Sequence, residues 1–543
     1  MDPKIRRRNS SCFATAGGRV GSQQTIIPRG RISGFLNGPR ANRQAERSRQ
    51  GVVTGFLFLM LSTLVAVAAP CQTRSIPAAA SGPAPLTAGP FDISGSWQTR
   101  MESWDWFEDG TASSTYTFTH SLLRLSIGQT RGGVDWQAEA AVPMLFALPD
   151  NANAPAPQGQ LGLGATYFAA NNGRQNIARI FLKQGFVRFK GGEHRSLRVG
   201  RFEFLDGSEI TPKDPTLAAM EKTRITQRLI GNFGWSAVGR SYDGIQFVQN
   251  WRKNNFTFVA ARATQGVFQA EGIGELDVGF LYGSYTVPLS RKGGDSELRI
   301  FGIGYDDPRG MVLKTDNRPL GARQLDHQDI LLGTFGADYL EVFNTSTAGK
   351  FDFLAWGALQ AGSWGLQSDR AGAFVAEFGW QPKVQHLAPW LSAGYSYGSG
   401  DGNPNDNRHT TFSQLLPTPR PYARFPFYDM QNNKDLYATL NLHPNRKILL
   451  RTEAHALSLA ERNDLWYLGG GPFQPQTFGY VGRPSGGHSK LANVWDLSVD
   501  YKIAQRLGVT FYYGRAWGSE VIRQIYPHGA IGQFGYVEFD ASF

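Results

Sequence analysis

Apolar and polar side chains alternate almost without interruption from Asp92 to the last residue, Phe543. Successive side chains of a β-strand point to opposite faces, so a period of two predicts strands with one apolar and one polar face. The chain beyond residue 92 is therefore expected to be all-β. The last segment, 535–543, shows the pattern clearly: Val537, Phe539, Ala541 and Phe543 alternate with Tyr536, Glu538, Asp540 and Ser542.

Eighteen such strands are predicted, and the length of each connection depends on whether it follows an odd-numbered or an even-numbered strand. Connections after even-numbered strands are short, whereas every long one follows an odd-numbered strand. This is typical of a transmembrane antiparallel β-barrel with short periplasmic turns and long extracellular loops. In a soluble β-sandwich, loop length is not expected to depend on the number of the preceding strand. Segment 223–238 has room for a further strand pair. The predicted strands are 92–107, 114–128, 132–144, 177–189, 194–204, 242–252, 254–264, 274–289, 296–307, 329–343, 350–361, 365–381, 387–398, 433–443, 446–458, 489–503, 506–518 and 530–543, with long connections at 145–176, 205–241, 308–328, 399–432 and 459–488.

Hydropathy and composition agree with a barrel. After residue 70 no run approaches the ~20 apolar residues that a membrane helix needs, and the mean hydropathy is −0.31. Lipid-facing residues of a barrel alternate with lumen-facing ones, so they do not raise such averages. The 64 glycines suit tight turns, and the 13% aromatic residues suit interface girdles. A final strand ending in Phe543 resembles the signature recognised by the barrel-insertion machinery of bacterial outer membranes. The sequence thus predicts an outer-membrane protein of a Gram-negative-type bacterium.

The first 69 residues are predicted to be a basic extension with a signal peptide that is removed. Arginines precede the apolar run 52–65, which small residues follow, as in a secretory signal; a single membrane anchor is the alternative. Residues 1–68 carry eleven basic and two acidic residues, which leaves about +2 of the chain's +11 for the remainder. The charge therefore does not indicate a nucleic-acid partner. Residues 70–91 are a predicted Pro/Ala-rich linker, and 92–543 the barrel.

Two stretches resemble the alginate export family of outer-membrane barrels. The first runs from Gly394-Tyr-Ser-Tyr-Gly-Ser-Gly400-Asp401 to Phe412 and Leu416-Pro417; the second is Leu197-Arg-Val-Gly-Arg-Phe-Glu203 with Gly239-Arg-Ser-Tyr-Asp-Gly244. The resemblance extends over 92–543 but departs in the loop 205–241. It implies a monomeric barrel with a narrow arginine-rich constriction that passes an anionic polysaccharide such as alginate.

The polar strand faces are expected to line the lumen, because a cation near the lipid midplane costs ~2–4 kcal/mol. Rings of Arg and Lys in a pore select anions, and Arg binds carboxylates in a bidentate fashion. The alternative is that Arg–Glu pairs merely neutralise each other in a polar interior. Arg201 shares the phase of the apolar Leu197 and Val199, which leaves its direction open. The predicted pore and substrate-binding residues are Arg100, Glu102, Arg124, Glu139, Arg179, Lys183, Arg198, Arg201, Arg240, Asp243, Arg451 and Glu453.

No catalytic residue, metal or cofactor is predicted. With only two cysteines, Cys12 and Cys71, neither a disulfide framework nor a cysteine metal site is expected. The acidic segment 401–406 lacks the Glu that a calcium loop needs at its twelfth position, where Phe412 stands, and is predicted to be a solvated extracellular turn. Gly394-Tyr-Ser396-Tyr-Gly398 has the Gly-x-Ser-x-Gly pattern of a nucleophile elbow. That elbow requires a strand-to-helix turn, and no helical pattern follows Gly398.

Three functions are consistent with such a barrel. The favoured one is a channel for an anionic, alginate-like polysaccharide; the second is an uptake porin for small anionic or sugar solutes. The third is an adhesin or receptor whose long loops bind a partner. The predicted partners are accordingly the polysaccharide or small anion, outer-membrane lipid, and the insertion machinery that binds the C-terminal strand.

Overall fold

The computed structural model describes residues 86–291, 293–384 and 386–543, and its fold is a closed barrel of eighteen antiparallel strands. All eighteen predicted strands are confirmed. The predicted signal peptide and most of the linker lie outside the described residues. The strands are β1 (Phe91–Asp105), β2 (Thr115–Arg131), β3 (Val134–Phe146), β4 (Phe181–Lys190), β5 (Arg195–Phe202), β6 (Tyr242–Trp251), β7 (Asn254–Thr264), β8 (Glu275–Arg291), β9 (Gly294–Asp307), β10 (Ile330–Thr345), β11 (Gly349–Trp364), β12 (Gln367–Gln381), β13 (Trp390–Gly398), β14 (Asn433–Asn445), β15 (Ile448–Leu459), β16 (Lys490–Ala504), β17 (Leu507–Gly518) and β18 (Ile531–Ser542).

The last strand closes the sheet onto the first. β18 pairs antiparallel with β1 over ten residues, with Arg100 opposite Glu538. Beyond the end of β18, the Phe543 N–H donates to the Gly95 carbonyl, and the Gly95 N–H donates to the Phe543 carbonyl, both at 3.0 Å. Closure leaves no unpaired strand edge, which a membrane-spanning sheet requires.

Apolar side chains cover the outside of the barrel. On β10 the outward-facing Leu331 and Phe335 are 58% and 77% exposed, whereas Leu332 and Thr334 point inward and are 1% exposed. A lipid environment accounts for large apolar side chains at such exposed positions. No helix within 86–291, 293–384 and 386–543 is long and apolar enough to cross a membrane.

The connections keep the predicted parity, and those that follow odd-numbered strands carry the few helices. These are Leu163–Ala170, Pro215–Met220, a π-helical turn Glu221–Ile225, Leu320–Gln324 and Glu520–Ile525. Segment 223–238, all of which the structure describes, contains no strand pair; its only pairing is a single bridge between Ile230 and Leu416. Two short strands, Leu465–Leu468 and Val481–Pro484, pair with each other outside the barrel ladder. A third, Arg408–His409, pairs parallel with β12.

Loops 203–241 and 399–432 fold into the lumen and form the core there. Leu229 and Ile230 of the first loop and Leu416, Phe425 and Phe427 of the second are fully buried. The barrel wall supplies aromatic partners, since Trp104 of β1 stacks on Phe534 of β18 at 4.1 Å between ring centroids and packs edge-on against Phe425. The hydrophobic core is therefore made between loops and inner wall.

Candidate functional site: a charged lumen

Loop 203–241 crosses the interior from one side of the barrel to the other. It leaves β5 and returns at β6, yet the Arg224 guanidinium lies 2.7 Å from Glu377 on β12 and 3.0 Å from Glu453 on β15. Near the same end of β11 and β12, Asp214 of the loop pairs with Lys350 at 3.1 Å. A solute that enters the barrel must pass beside this loop.

Arg100 of β1 fixes one part of the loop to the wall. Its guanidinium pairs with Glu538 and lies 3.4 Å from Glu102. It also donates to the Trp235 carbonyl at 3.0 Å and lies over the Trp235 ring, 4.3 Å from the centroid. Glu102 in turn lies 3.1 Å from His120 Nε2. The predicted residues Arg100 and Glu102 are thus together, and both are buried.

A second network surrounds Arg124 of β2. This arginine donates to Glu139 of β3 and to Glu203 of the loop, each at 2.7 Å. Lys183 lies 3.6 Å from Glu203, and its ammonium donates to loop carbonyls, Val238 at 3.0 Å and Arg240 at 3.2 Å. Arg124 and Lys183, both predicted pore residues, are therefore bound by carboxylate and carbonyl groups, most of which belong to loop 203–241.

Two further networks hold the loop to the opposite wall. Arg451 lies 2.7 Å from Glu453, the carboxylate that also accepts from Arg224. On β9, Arg299 donates to Asp338 at 2.7 Å and lies 3.7 Å from Glu209 of the loop. Arg299 is not among the predicted pore residues, although it shares the inward phase of Phe301 and Ile303.

Six other arginines have no carboxylate within ion-pair distance in the part of the chain that the structure describes. Arg228 donates to the Arg224 carbonyl and lies over Trp356 and Tyr422, at 5.2 and 4.5 Å. Arg424 donates to Ser498 at 2.6 Å and lies over Tyr512 at 4.9 Å. Burial lowers the pKa of Arg420 to about 10, so it stays charged at neutral pH. The six are Arg198, Arg228, Arg240, Arg420, Arg424 and Arg483.

A cavity of about 300 Å³ lies between the wall and loop 203–241. Arg198 of β5 and Gln246 of β6 line it from the wall, and Glu203, Glu209 and Asn232 from the loop. The Arg198 guanidinium lies over the Phe186 ring at 4.7 Å, and its Nε has no hydrogen-bond partner among the described residues. The cavity therefore offers a cation with unused donor capacity.

Three predicted pore residues are placed elsewhere, which corrects the sequence analysis. Arg201 and Asp243 form a bidentate pair at 2.8 and 2.6 Å on the outer face, in phase with Leu197 and Val199. Arg179 is exposed in the gap between Ile177–Ala178 and β4, 4.0 Å from Glu271. The predicted strand 177–189 is interrupted at 179–180, and its two parts pair with β3 in the same register.

Asp401 also differs from expectation, because it is not solvated. Its side chain is 2% exposed, and its N–H donates to the Asp464 carboxylate at 2.9 Å. Burial raises the pKa of Asp401 to about 6. The segment 401–406 thus begins inside the loop cluster, and only its later residues face solvent.

Comparisons with known proteins identify the family and similar folds. The family model described as alginate export matches residues 164–528. Among solved structures, OccAB2 of Acinetobacter baumannii and OccK9 (OpdG) of Pseudomonas aeruginosa each align with a TM-score of 0.52, covering 83% of this chain and 98% of theirs. Their identities are 9% and 10%, so the likeness concerns the fold. No curated protein matches by sequence.

Proposed function

The chain belongs to the alginate export family and is an outer-membrane channel; on that premise we propose that it passes an anionic, uronate-type polysaccharide along the lumenal arginines. The observation that carries the proposal is the set of six inward arginines without a carboxylate partner. A cation whose donors are not already paired can bind a passing carboxylate without first breaking an ion pair. The family match concerns transport, and no enzymatic step is proposed.

The chemistry of these arginines suits a polyuronate. The guanidinium fork binds carboxylates in a bidentate fashion, and charge-assisted hydrogen bonds gain strength where water is sparse. Arg228 and Arg424 each lie over aromatic rings, and the hydrogen bonds they donate go to uncharged oxygen and sulfur atoms, so a carboxylate can bind without an ion pair being broken. The paired arginines, by contrast, hold loop 203–241 in place. We thus assign transport to the unpaired set and support to the paired set.

A second candidate is an uptake porin for small anions or sugars. The cavity beside Arg198 favours it, since about 300 Å³ accommodates a single sugar acid rather than a polymer. The two functions share the barrel and differ in the length of the solute. Chain length is therefore the variable to test.

Planar-bilayer recordings with uronate monomers and oligomers test the proposal. Oligomers should block the current more strongly than monomers, and Arg228→Gln or Arg424→Gln should weaken the oligomer block roughly tenfold, the loss of one charge-assisted hydrogen bond. Arg262→Gln is the control, because Arg262 lies half-exposed on the outer face. Equal block by monomers and oligomers would favour the uptake porin. A purified protein without conductance would contradict both channel functions and favour the adhesin or receptor.

A further inference from the structure

Three ligand-type side chains converge on the lumen wall between β15 and β16. Glu453 and His455 are two residues apart on the inner face of β15, and Asp496 of β16 is directly opposite Glu453 in the register. All three are at least 95% buried. One donor atom from each lies within 4.8 Å of the donor atoms of the other two.

Their hydrogen bonds leave one atom of each residue free. Glu453 Oε1 accepts from Arg224, Arg451 and Thr439, at 3.0, 2.7 and 2.9 Å. Asp496 Oδ2 accepts from the Tyr512 hydroxyl at 3.3 Å. Glu453 Oε2, Asp496 Oδ1 and His455 Nε2 have no partner among the residues that the structure describes. Buried polar atoms without partners are costly, so three in one place point to a missing ligand.

The orientation of His455 supports this interpretation. Its Nδ1 lies 2.9 Å from Asp435 Oδ2, so a neutral imidazole would carry its proton on Nδ1 and present the Nε2 lone pair to a metal ion. A carboxylate behind the imidazole is the arrangement that orients and strengthens histidine ligands of metal ions. Tyr428 lies 3.3 Å from the same nitrogen.

We propose that Glu453, His455 and Asp496 bind a divalent transition-metal ion such as Zn²⁺. One imidazole nitrogen and two carboxylate oxygens are a donor set that such ions accept, with the fourth position left for water. The guanidinium groups of Arg224 and Arg451 repel a cation, but both bind the far oxygen of Glu453, and Arg224 is also paired with Glu377. The sequence alone does not suggest this site, because only the register of the barrel brings residue 496 beside 453.

Metal binding to the purified, chelator-treated protein in detergent tests the proposal. Zn²⁺ calorimetry should give one equivalent per chain, and Co²⁺ should give visible absorption bands. His455→Gln and Asp496→Asn should each weaken binding at least tenfold. Asp435→Asn should weaken it about 10–100-fold, because it removes the group that orients the imidazole. His443→Gln, a half-buried histidine on the neighbouring β14, should leave both signals unchanged.

One measurement needs no variant and guards against misfolding. Zinc-edge X-ray absorption of the unaltered protein should show a mixed shell with one imidazole. A shell of oxygen atoms alone, or binding that His455→Gln leaves unchanged in a folded barrel, would overturn the proposal. Failure of wild-type protein to bind either metal would overturn it too and indicate that the two carboxylates share a proton instead.

Discussion

At the scale of residues, the lumen contains two kinds of buried cation. Arg100, Arg124 and Arg224 each contact two carboxylates, so removing one of them would leave buried anions uncompensated, at a cost of about 3–5 kcal/mol. Arg228 and Arg424 rest instead on aromatic rings and neutral oxygens. Neutralising the second kind should alter transport while the barrel stays intact, which is why those two were chosen for the test of function.

Buried acids should make the inner loop 399–432 sensitive to pH, and Asp429 is one of them beside Asp401. Asp429 is 1% exposed, and among the described residues its carboxylate accepts from the backbone and side-chain N–H groups of Gln431, at 2.8 and 2.9 Å. Burial raises its pKa to about 6, above the ordinary value of 3.8. The folded loop therefore holds this proton more tightly than the open loop. Its stability should be greatest below about pH 4 and fall as the pH rises through about 6, by roughly 2–3 kcal/mol.

Amide hydrogen exchange of loop 399–432 between pH 4 and 8 measures this effect. After correction for intrinsic exchange, Asp429→Asn should reduce the pH dependence of the opening free energy, and the part that remains should come from Asp401. Asp406→Asn, at an exposed position of the same loop, should retain it. An Asp429→Asn protein with the wild-type profile would mean that another group titrates.

At the scale of elements, alternation predicted the barrel because side-chain direction in a strand follows from sequence parity alone. The same parity placed Arg201 with Leu197 and Val199, and that is where the structure has it, on the outer face. The family-like motif around Arg201 had suggested a pore position, so the periodicity was the better guide. The register shift within β4, between Leu182 and Gln184, was not predictable, because it depends on the partner strand.

Gly200 is an element-scale constraint within the same motif. It has φ of +125°, and a Cβ there would lie 2.4 Å from the Gly185 carbonyl on β4. Both the backbone conformation and this contact disfavour any side chain, so Gly200→Ala should destabilise the β4–β5 pairing by about 1–3 kcal/mol. The midpoint of urea unfolding in detergent measures the effect. Gly283→Ala on β8 is the matched control, since nothing lies within 4 Å of its added methyl group. Equal midpoints would refute the strain.

At the scale of the whole molecule, the sequence did not predict that loops 203–241 and 399–432 fill the lumen. Contacts such as the Phe233 N–H to the Thr418 hydroxyl, at 2.9 Å, join loops almost two hundred residues apart. Loop segments lack a periodic pattern, so nothing in their composition indicates whether they lie outside the barrel or within it. Nine of the twelve predicted pore residues do face the lumen, yet most of them contact these loops.

The C-terminal strand offers a test of the predicted insertion partner. Phe543 is hydrogen-bonded to Gly95 through its backbone only, so Phe543→Ala preserves both bonds. If the insertion machinery recognises the aromatic ring, the variant should assemble poorly in cells but refold normally into lipid vesicles. The fraction of heat-modifiable, folded protein on gels measures both. An equal defect in the two settings would assign Phe543 to barrel stability instead.

The most direct test of the lumenal architecture is to remove loop 203–241 from the pore. Phe202 and Tyr242 are directly paired, so a four-residue Gly/Ser turn in place of 204–240 spans the gap. The eighteen-strand ladder does not include the loop, and the barrel should still fold. Conductance should rise several-fold, and block by uronate oligomers should weaken with the loss of Arg228 and Arg240. Replacing the exposed residues of the helix Leu320–Gln324, none of which is buried, should change neither. Unchanged conductance in the first variant would mean that solutes do not pass beside loop 203–241, and the arginines it carries would lose their proposed role.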